Sequence, residues 1–150
     1  MKLPHSLFTV FLMFFIMPSN ANLQLDDSGN TINIPLKILQ QYSKTEFTLF
    51  SPDQKREVHI KGILLEDLLQ KYLTKVPDQV SLIAIDGYKQ TFKNWQRNHW
   101  VIVTSEDGKP LSLRNKGPLK LVERSYSKKR LKNLRNFNQW IWMIQRIETE

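Results

Sequence analysis

The chain contains 150 residues, carries 22 lysines and arginines against 14 acidic residues, and has no cysteine. This length suits one domain with a single core. The absence of cysteine excludes disulfide bonds, a thiolate nucleophile and a thiolate metal ligand. The formal net charge of +8 favours anionic partners, since a basic surplus attracts phosphate groups, acidic proteins and membrane surfaces.

Residues 1–21 have the pattern of a secretory signal peptide. Lys2 supplies a basic start, residues 7–17 (LFTVFLMFFIM) form an apolar run, and residues 19–21 (SNA) place small side chains where cleavage is expected. The apolar run is shorter than the roughly 20 residues of a spanning helix, and an uncleaved anchor is the alternative. We predict a signal over 1–21, one domain over 22–150, a periplasmic or secreted location, and no transmembrane segment after cleavage.

A basic stretch occupies the later part of the chain. Between Lys109 and Arg135, ten lysines and arginines occur with a single acid, Glu123. Nucleic acid is the usual partner of such a stretch, but a secreted location argues against it. We therefore predict a small anionic ligand or an envelope protein as the partner, and no nucleic acid. A solvated basic face without a partner is the alternative.

In chain order, the first half alternates between strand and helix patterns. Turn residues 26–30 separate two short alternating runs, which is typical of a β-hairpin. Leucines 64, 65, 68 and 69 have the spacing of an amphipathic helix, and Lys61-Gly62 is expected to end the strand before it. The predicted elements are a hairpin over 23–34, a helix over 35–42, strands over 46–51 and 57–60, and a helix over 64–72.

The second half predicts mostly strands. Apolar and β-branched runs are separated by turn residues at 86–87 and 107–110. The basic residues 125–136 are predicted to be helix or loop. The expected strands cover 80–85, 88–92, 100–104, 111–113, 119–122 and 140–147. Together the elements predict a compact α+β domain, mainly β, with short helices packed on mixed sheets.

The residue types that usually carry catalysis do not form a recognisable constellation. His59 and His99 are 40 residues apart in the sequence and lack the spacing of a metal site. No G-x-S-x-G, G-x-G-x-x-G or phosphate-loop motif is present. Glu106 and Asp107 lie in a predicted turn, where acids are common for local reasons. The residues alone therefore predict no metal site and no catalytic residue.

Five short motifs follow one another over residues 55–148: GILLEDLL at 62–69, DGY at 86–88, DGKPL at 107–111, GPLKLV at 117–122, and Trp140 with Ile144 and Ile147. This order resembles the molybdopterin-binding domain of the sulfite oxidase family. The resemblance implies a compact domain of that fold. It also implies that the 86–88 hairpin lies near a ligand cleft.

These patterns give a set of candidate site residues. The resemblance makes Tyr88 a candidate to line the cleft, with an anion-facing role for Arg114, Lys116 and Lys120; solvated charges are the alternative. Trp95 belongs to a set of four tryptophans, some of which could stack on a ligand or lie in the core. Structural turns are expected at Asp86-Gly87 and at Gly117-Pro118.

The chain departs from the family in one residue type that matters for chemistry. Catalytic members bind molybdenum through a cysteine thiolate, and this chain has no cysteine. A soft thiolate ligand tunes such a metal centre, so oxygen-atom transfer by the family mechanism is not expected. We expect no cofactor; a molybdopterin held without a cysteine ligand is the one that the resemblance allows.

The leading hypothesis is a non-catalytic periplasmic protein of this fold that binds a ligand or partner and could serve as an accessory to a membrane sensor. The alternative is a molybdopterin-dependent oxidoreductase or a subunit of one, and a third hypothesis is a structural envelope protein. The N-terminus contains no arginine pair of the kind that directs export of folded, cofactor-loaded proteins. That observation favours the non-enzymatic hypothesis.

Overall fold

The structure is a computed structural model that describes residues 21–124 and 133–149. Residues 1–20 of the predicted signal peptide and the basic residues 125–132 lie outside the described residues. Short 3₁₀ segments cover Trp95–Asn98, Leu113–Asn115 and Leu134–Phe137. The strands and helices are β1 (Asn22–Asp27), β2 (Asn30–Pro35), α1 (Leu36–Tyr42), β3 (Thr45–Ser51), β4 (Arg56–Leu64), α2 (Leu65–Tyr72), β5 (Gln79–Ala84), β6 (Lys89–Lys93), β7 (Trp100–Glu106), β8 (Lys109–Pro110), β9 (Lys120–Glu123) and β10 (Ile144–Thr149).

The first sheet has the strand order β2-β1-β10-β5-β6. Strand β10 is parallel to β1, with Leu25 opposite Ile147, and antiparallel to β5. The last strand of the chain thus lies between two strands from its first 84 residues. As a result, residues 140–143, which precede β10, contact the turn that follows β5, where the Ile85 amide donates to the Met143 carbonyl at 2.9 Å.

The second sheet is antiparallel throughout. Strand β7 pairs with β4 along one edge, and β4 pairs with β3. The other edge of β7 is divided between β9, which pairs with residues 100–103, and β8, which pairs with residues 105–106. This arrangement brings the turn after β3 and the end of β7 close to the start of β9.

The predicted α+β class is wrong, because the protein is mostly β. Its two α-helices have seven and eight residues, whereas ten strands form the two sheets. Only the sheet that contains β10 is mixed, so the prediction of mixed sheets holds for one sheet of the two. Both predicted helices are present, but each has only about two turns.

One apolar cluster joins the two sheets and both helices. In β1, Leu23 and Leu25 are buried while Gln24 is exposed, the alternation expected of a strand with one face on the core. The leucines of α2 are buried at positions 65, 68 and 69, which confirms the predicted stripe. Full burial of one such side chain contributes about 1.5–3 kcal/mol.

Strand β4 continues past the position where the sequence predicts its end. Lys61-Gly62 forms an irregularity in the pairing with β7, and the strand resumes to Leu64. A Cβ atom at Gly62 would lie 2.3 Å from the Ile102 carbonyl oxygen. Gly62 is therefore a site of close backbone approach inside the sheet rather than a strand terminator.

We predict that Gly62→Ala lowers the free energy of unfolding by about 1–3 kcal/mol, because an added methyl group must displace the β7 backbone. Urea unfolding followed by circular dichroism measures the change. Thr48→Ala, at an exposed position of the neighbouring strand, is the control and should change stability by no more than about 0.5 kcal/mol. Equal stability of the Gly62→Ala protein and the wild type would show that the sheet relaxes around the methyl group.

Candidate ligand-binding site

An open pocket of about 330 Å³ lies between the β5–β6 turn and the segment that enters β10. Its lining is mainly apolar and aromatic, with one ammonium and one carboxylate group. This combination suits a small ligand with a flat body and a charged group. The residues that define the pocket are Asp86, Tyr88, Lys116, Trp140, Trp142 and Met143.

The turn at Asp86-Gly87 forms one wall of the pocket. Gly87 has φ of +86°, and its amide donates to the Ala84 carbonyl at 3.0 Å. The Asp86 carboxylate accepts a hydrogen bond from the Tyr88 amide at 3.0 Å. These bonds close the turn and leave the Tyr88 ring half exposed at the rim, with its hydroxyl donating to Gln90 at 3.0 Å. Asp86 and Gly87 therefore have the structural role that the sequence suggested, at the edge of a cleft.

The opposite wall is the segment 140–143, which is not the regular closing strand that the sequence predicts. Met143 has φ of +56°, and its amide donates to the Lys116 carbonyl at 3.0 Å. Because the backbone is irregular, Trp140 and Trp142 do not share one face as they would in a regular strand: Trp140 is buried, whereas Trp142 is partly exposed and lines the pocket. The two indoles pack edge to face with centroids 6.2 Å apart.

Lys116 brings positive charge to the pocket. It follows the 3₁₀ segment 113–115 in a left-handed conformation, with φ of +60°. Its ammonium group lies 5.5 Å from the centroid of the Trp142 ring and 3.3 Å from the Asp53 carboxylate. The cation and the aromatic ring therefore belong to one wall, an arrangement that can bind an anion and stack on its flat body.

Lys120 lies behind this wall and does not reach the pocket surface. Its side chain is 1% exposed, and its ammonium group donates to Glu106 at 2.6 Å. The second oxygen of Glu106 accepts from Gln54 at 2.8 Å. The Lys120 ammonium also lies 5.2 Å from the Trp142 ring centroid, on which it acts through a cation–π contact. Lys120 supports the wall instead of contacting a ligand.

Asp53 lies in the turn between β3 and β4, close to both lysines. Burial raises the pKa of its carboxyl, but the hydrogen bond from Ser51 and the charges of Lys120 and Lys116 outweigh burial and hold the pKa below its usual value. Asp53 is thus an anion in the folded protein. The sequence gives no sign of this role, because Pro52-Asp53 reads only as a turn.

The remaining candidates lie elsewhere. Trp95 is 2% exposed, and its indole nitrogen donates to the Pro77 carbonyl at 3.1 Å, so it belongs to the core. Arg114 is exposed on the 3₁₀ segment and does not line the pocket. Gly117-Pro118 is a cis peptide bond, and a Cβ atom at Gly117 would lie 2.7 Å from the Leu111 Cβ atom. That glycine is required by close packing.

The described side chains do not form a recognisable metal-binding site. Within residues 21–124 and 133–149, no group of three or more His, Asp or Glu side chains could hold a metal ion. The cysteine that ligates molybdenum in the family of the sequence resemblance has no counterpart. The residues present therefore do not fit a molybdenum centre with a protein ligand.

Among residues 21–124 and 133–149, no helix is long and apolar enough to cross a bilayer.

Comparison with solved structures gives a distant likeness in fold. The sulfane dehydrogenase SoxCD from Paracoccus pantotrophus superposes with a TM-score of 0.62 at 13% sequence identity. The match covers 89% of this chain and 39% of that one, so the chain spans well under half of the dehydrogenase chain. No protein-family model and no curated protein matches the sequence. The likeness establishes a shared fold only.

We predict that Lys120→Met destabilises the protein by about 3–5 kcal/mol, because it leaves the Glu106 carboxylate partly buried without its cation. The double variant Lys120→Met/Glu106→Gln should lose less than the sum of the two single variants, by about 1–3 kcal/mol. Urea unfolding of the four proteins gives this coupling free energy.

The exposed pair Lys61–Glu46, at 2.9 Å, is the matched control for this cycle. Its coupling should be much smaller, because water screens both groups. Additive losses at Lys120 and Glu106 would mean that the buried ion pair contributes nothing beyond packing.

Asp53 should also leave a signature in the pH dependence of stability. Because its folded pKa lies below the unfolded value, it stabilises the protein above the unfolded pKa, and this contribution disappears as pH falls through the folded pKa. Asp53→Asn should therefore lose stability less steeply than the wild type between about pH 5 and pH 2. Urea unfolding at several pH values measures the slopes, with Asp67→Asn as a control of equal charge change. Parallel slopes for wild type and Asp53→Asn would contradict the assignment.

Proposed function

We propose that the protein is a non-catalytic periplasmic binding protein that holds a small anionic ligand with a flat, unsaturated body. The observation that carries the proposal is the shared wall of Lys116 and Trp142 in the open pocket. An ammonium group beside an indole offers charge recognition and a stacking surface together. The ammonium group alone would not distinguish an aromatic anion from an inorganic one, and the indole alone would not distinguish an aromatic anion from a neutral aromatic molecule.

Tyr88 and Met143 are consistent with this role, and the Asp86 carboxylate in the lining is engaged by the Tyr88 amide at 3.0 Å. The Tyr88 ring, half exposed at the rim, adds a second aromatic surface opposite the 140–143 segment. The wall is rigid, since Met143 is bonded through its backbone to both Lys116 and Ile85. A preformed wall reduces the entropy lost on binding.

The periplasmic location in this proposal rests on the secretory pattern of residues 1–21. The cysteine-free sequence suits a protein that is exported unfolded and relies on its core for stability. We also propose membership in the sulfite oxidase-like family, on the motif order of residues 55–148 and on the fold shared with part of the sulfane dehydrogenase.

We further propose that the protein is accessory to a membrane sensor, for which the pocket rim offers a contact surface. Ile85 and Tyr88 are 45% and 50% exposed on the β5–β6 turn, and Leu113 is 62% exposed on the segment that leads to Lys116. Exposed apolar side chains beside a pocket are typical of a surface that a protein partner covers. A partner seated there would contact the rim of an occupied pocket.

A molybdopterin-dependent oxidoreductase, or a subunit of one, is the second candidate function. It is favoured by the shared fold, because the neighbour is a dehydrogenase. The described residues contain no cluster of three or more metal-ligating side chains, and the chain has no cysteine, so we derive no reaction step through a metal. This candidate predicts tightly bound molybdenum in the isolated protein.

Anilinonaphthalene sulfonate, a flat aromatic probe with a permanent negative charge, tests the binding proposal. Lys116→Gln should weaken its binding about 2- to 10-fold, through loss of one charge-assisted contact in a half-exposed site. Trp142→Leu should weaken it by a similar factor, through loss of the stacking surface. Fluorescence titration measures both dissociation constants.

Two variants and one neutral probe control for non-specific binding. Lys109→Gln removes an exposed lysine of the same basic stretch, and Tyr42→Leu removes an exposed aromatic ring of α1; neither residue lines the pocket. Both should bind the probe like the wild type. Phenylnaphthylamine, which lacks the sulfonate, should respond to Trp142→Leu but not to Lys116→Gln. Unchanged sulfonate binding in Lys116→Gln would overturn the proposed function.

A further inference from the structure

The lysine of the pocket is not a free cation, because a carboxylate from another part of the chain reaches it from behind. The Asp53 carboxylate lies 3.3 Å from the Lys116 ammonium, on the side of the β3–β4 turn, and Asp53 does not line the pocket. An anion that enters the pocket and contacts Lys116 must therefore share or replace an existing ionic partner.

The two members of this pair differ in freedom. The Asp53 side chain is 15% exposed and accepts a hydrogen bond from Ser51, so it is held in place. The Lys116 side chain is 46% exposed and ends a flexible chain of methylene groups. When an anion competes, the lysine can move toward it while the aspartate stays where it is.

The surrounding charges limit the field in the pocket. Behind the wall, the Lys120 ammonium is matched by Glu106 at 2.6 Å. Lys116 is likewise matched by Asp53. The four groups form two ion pairs with no net charge, and the Asp86 carboxylate also lines the pocket, so the pocket is less attractive to anions than Lys116 alone would make it.

We propose that Asp53 determines the charge selectivity of the pocket by acting as an internal counter-ion that an anionic ligand must displace from Lys116. This inference rests on the proposed function and deepens it. The carboxylate lowers the affinity for every anion and leaves the affinity for neutral aromatic molecules unchanged. The pocket therefore retains an anion only when the ligand also stacks on the aromatic wall, which excludes simple inorganic ions.

The test replaces Asp53 by Asn and measures binding of anilinonaphthalene sulfonate and phenylnaphthylamine. Removing one negative charge several ångströms from the sulfonate should tighten its binding about three- to tenfold at low salt. The gain should shrink as ionic strength rises. Binding of the neutral probe should not change. Asp53→Glu keeps the charge and should restore wild-type affinity, and Asp67→Asn gives an equal change in net charge away from the pocket.

The outcomes separate this inference from the proposed function. If Lys116→Gln weakens sulfonate binding but Asp53→Asn leaves it equal or weaker, the inference fails and the binding proposal stands. If Lys116→Gln has no effect, both fail. Tighter binding in Asp67→Asn by the same factor would assign the gain to net charge and overturn the inference. Circular dichroism checks folding, and Asp53→Ser replaces the asparagine variant if that protein does not fold.

Discussion

The pocket exists because the last strand of the chain is inserted between β1 and β5. Strand β10 pairs with β1 in parallel and with β5 antiparallel, and these two pairings fix its register. The preceding residues must then cross the end of β5, where Met143 bonds to Ile85. Both aromatic rings of the wall, Trp140 and Trp142, are carried into place by this crossing. The architecture of the site is therefore a consequence of sheet topology.

Two ion pairs next to Trp142 also shape the site. Four charged groups from three separate segments lie close to the Trp142 wall: Asp53 from the β3–β4 turn, Glu106 from β7, and Lys116 and Lys120 from the segment leading into and starting β9. Burying such charges is costly unless each has a partner, and here the pairs satisfy one another. The network contacts the indole, and its ion pairs also reduce the positive electrostatic potential that a ligand in the pocket experiences. A single cluster thus links the stability of the wall to its selectivity.

Local features of the fold could be predicted from sequence, whereas pairings between distant segments could not. The Asp86-Gly87 turn and the leucine stripe of α2 depend on neighbouring residues, and the structure has both. The extension of β4 past Gly62 depends on its register with β7, which no local pattern encodes. The α+β class was wrong because an amphipathic pattern indicates a helix without fixing how much of the fold is helical.

The candidate site shows the same division. Tyr88 and Lys116 were predicted and line the pocket, while Trp95 and Lys120 are buried among partners that lie 18 and 14 residues away along the chain. Asp53 was missed because its importance comes from Lys116, which is far away in sequence. The sequence pattern around Gly117-Pro118 is the same whether a neighbouring lysine is buried or exposed. Only the structure shows that Lys116 is exposed and Lys120 is buried.

The central claim is that this fold serves here to bind an organic anion without redox chemistry. Native mass spectrometry with elemental analysis, on protein isolated from the envelope of the cells that produce it, tests the claim most directly. The account predicts the mass of a chain that begins at Asn22, together with a small organic anion and no molybdenum. Stoichiometric molybdenum with a pterin-sized mass would contradict it and would identify the protein as a cofactor-loaded oxidoreductase.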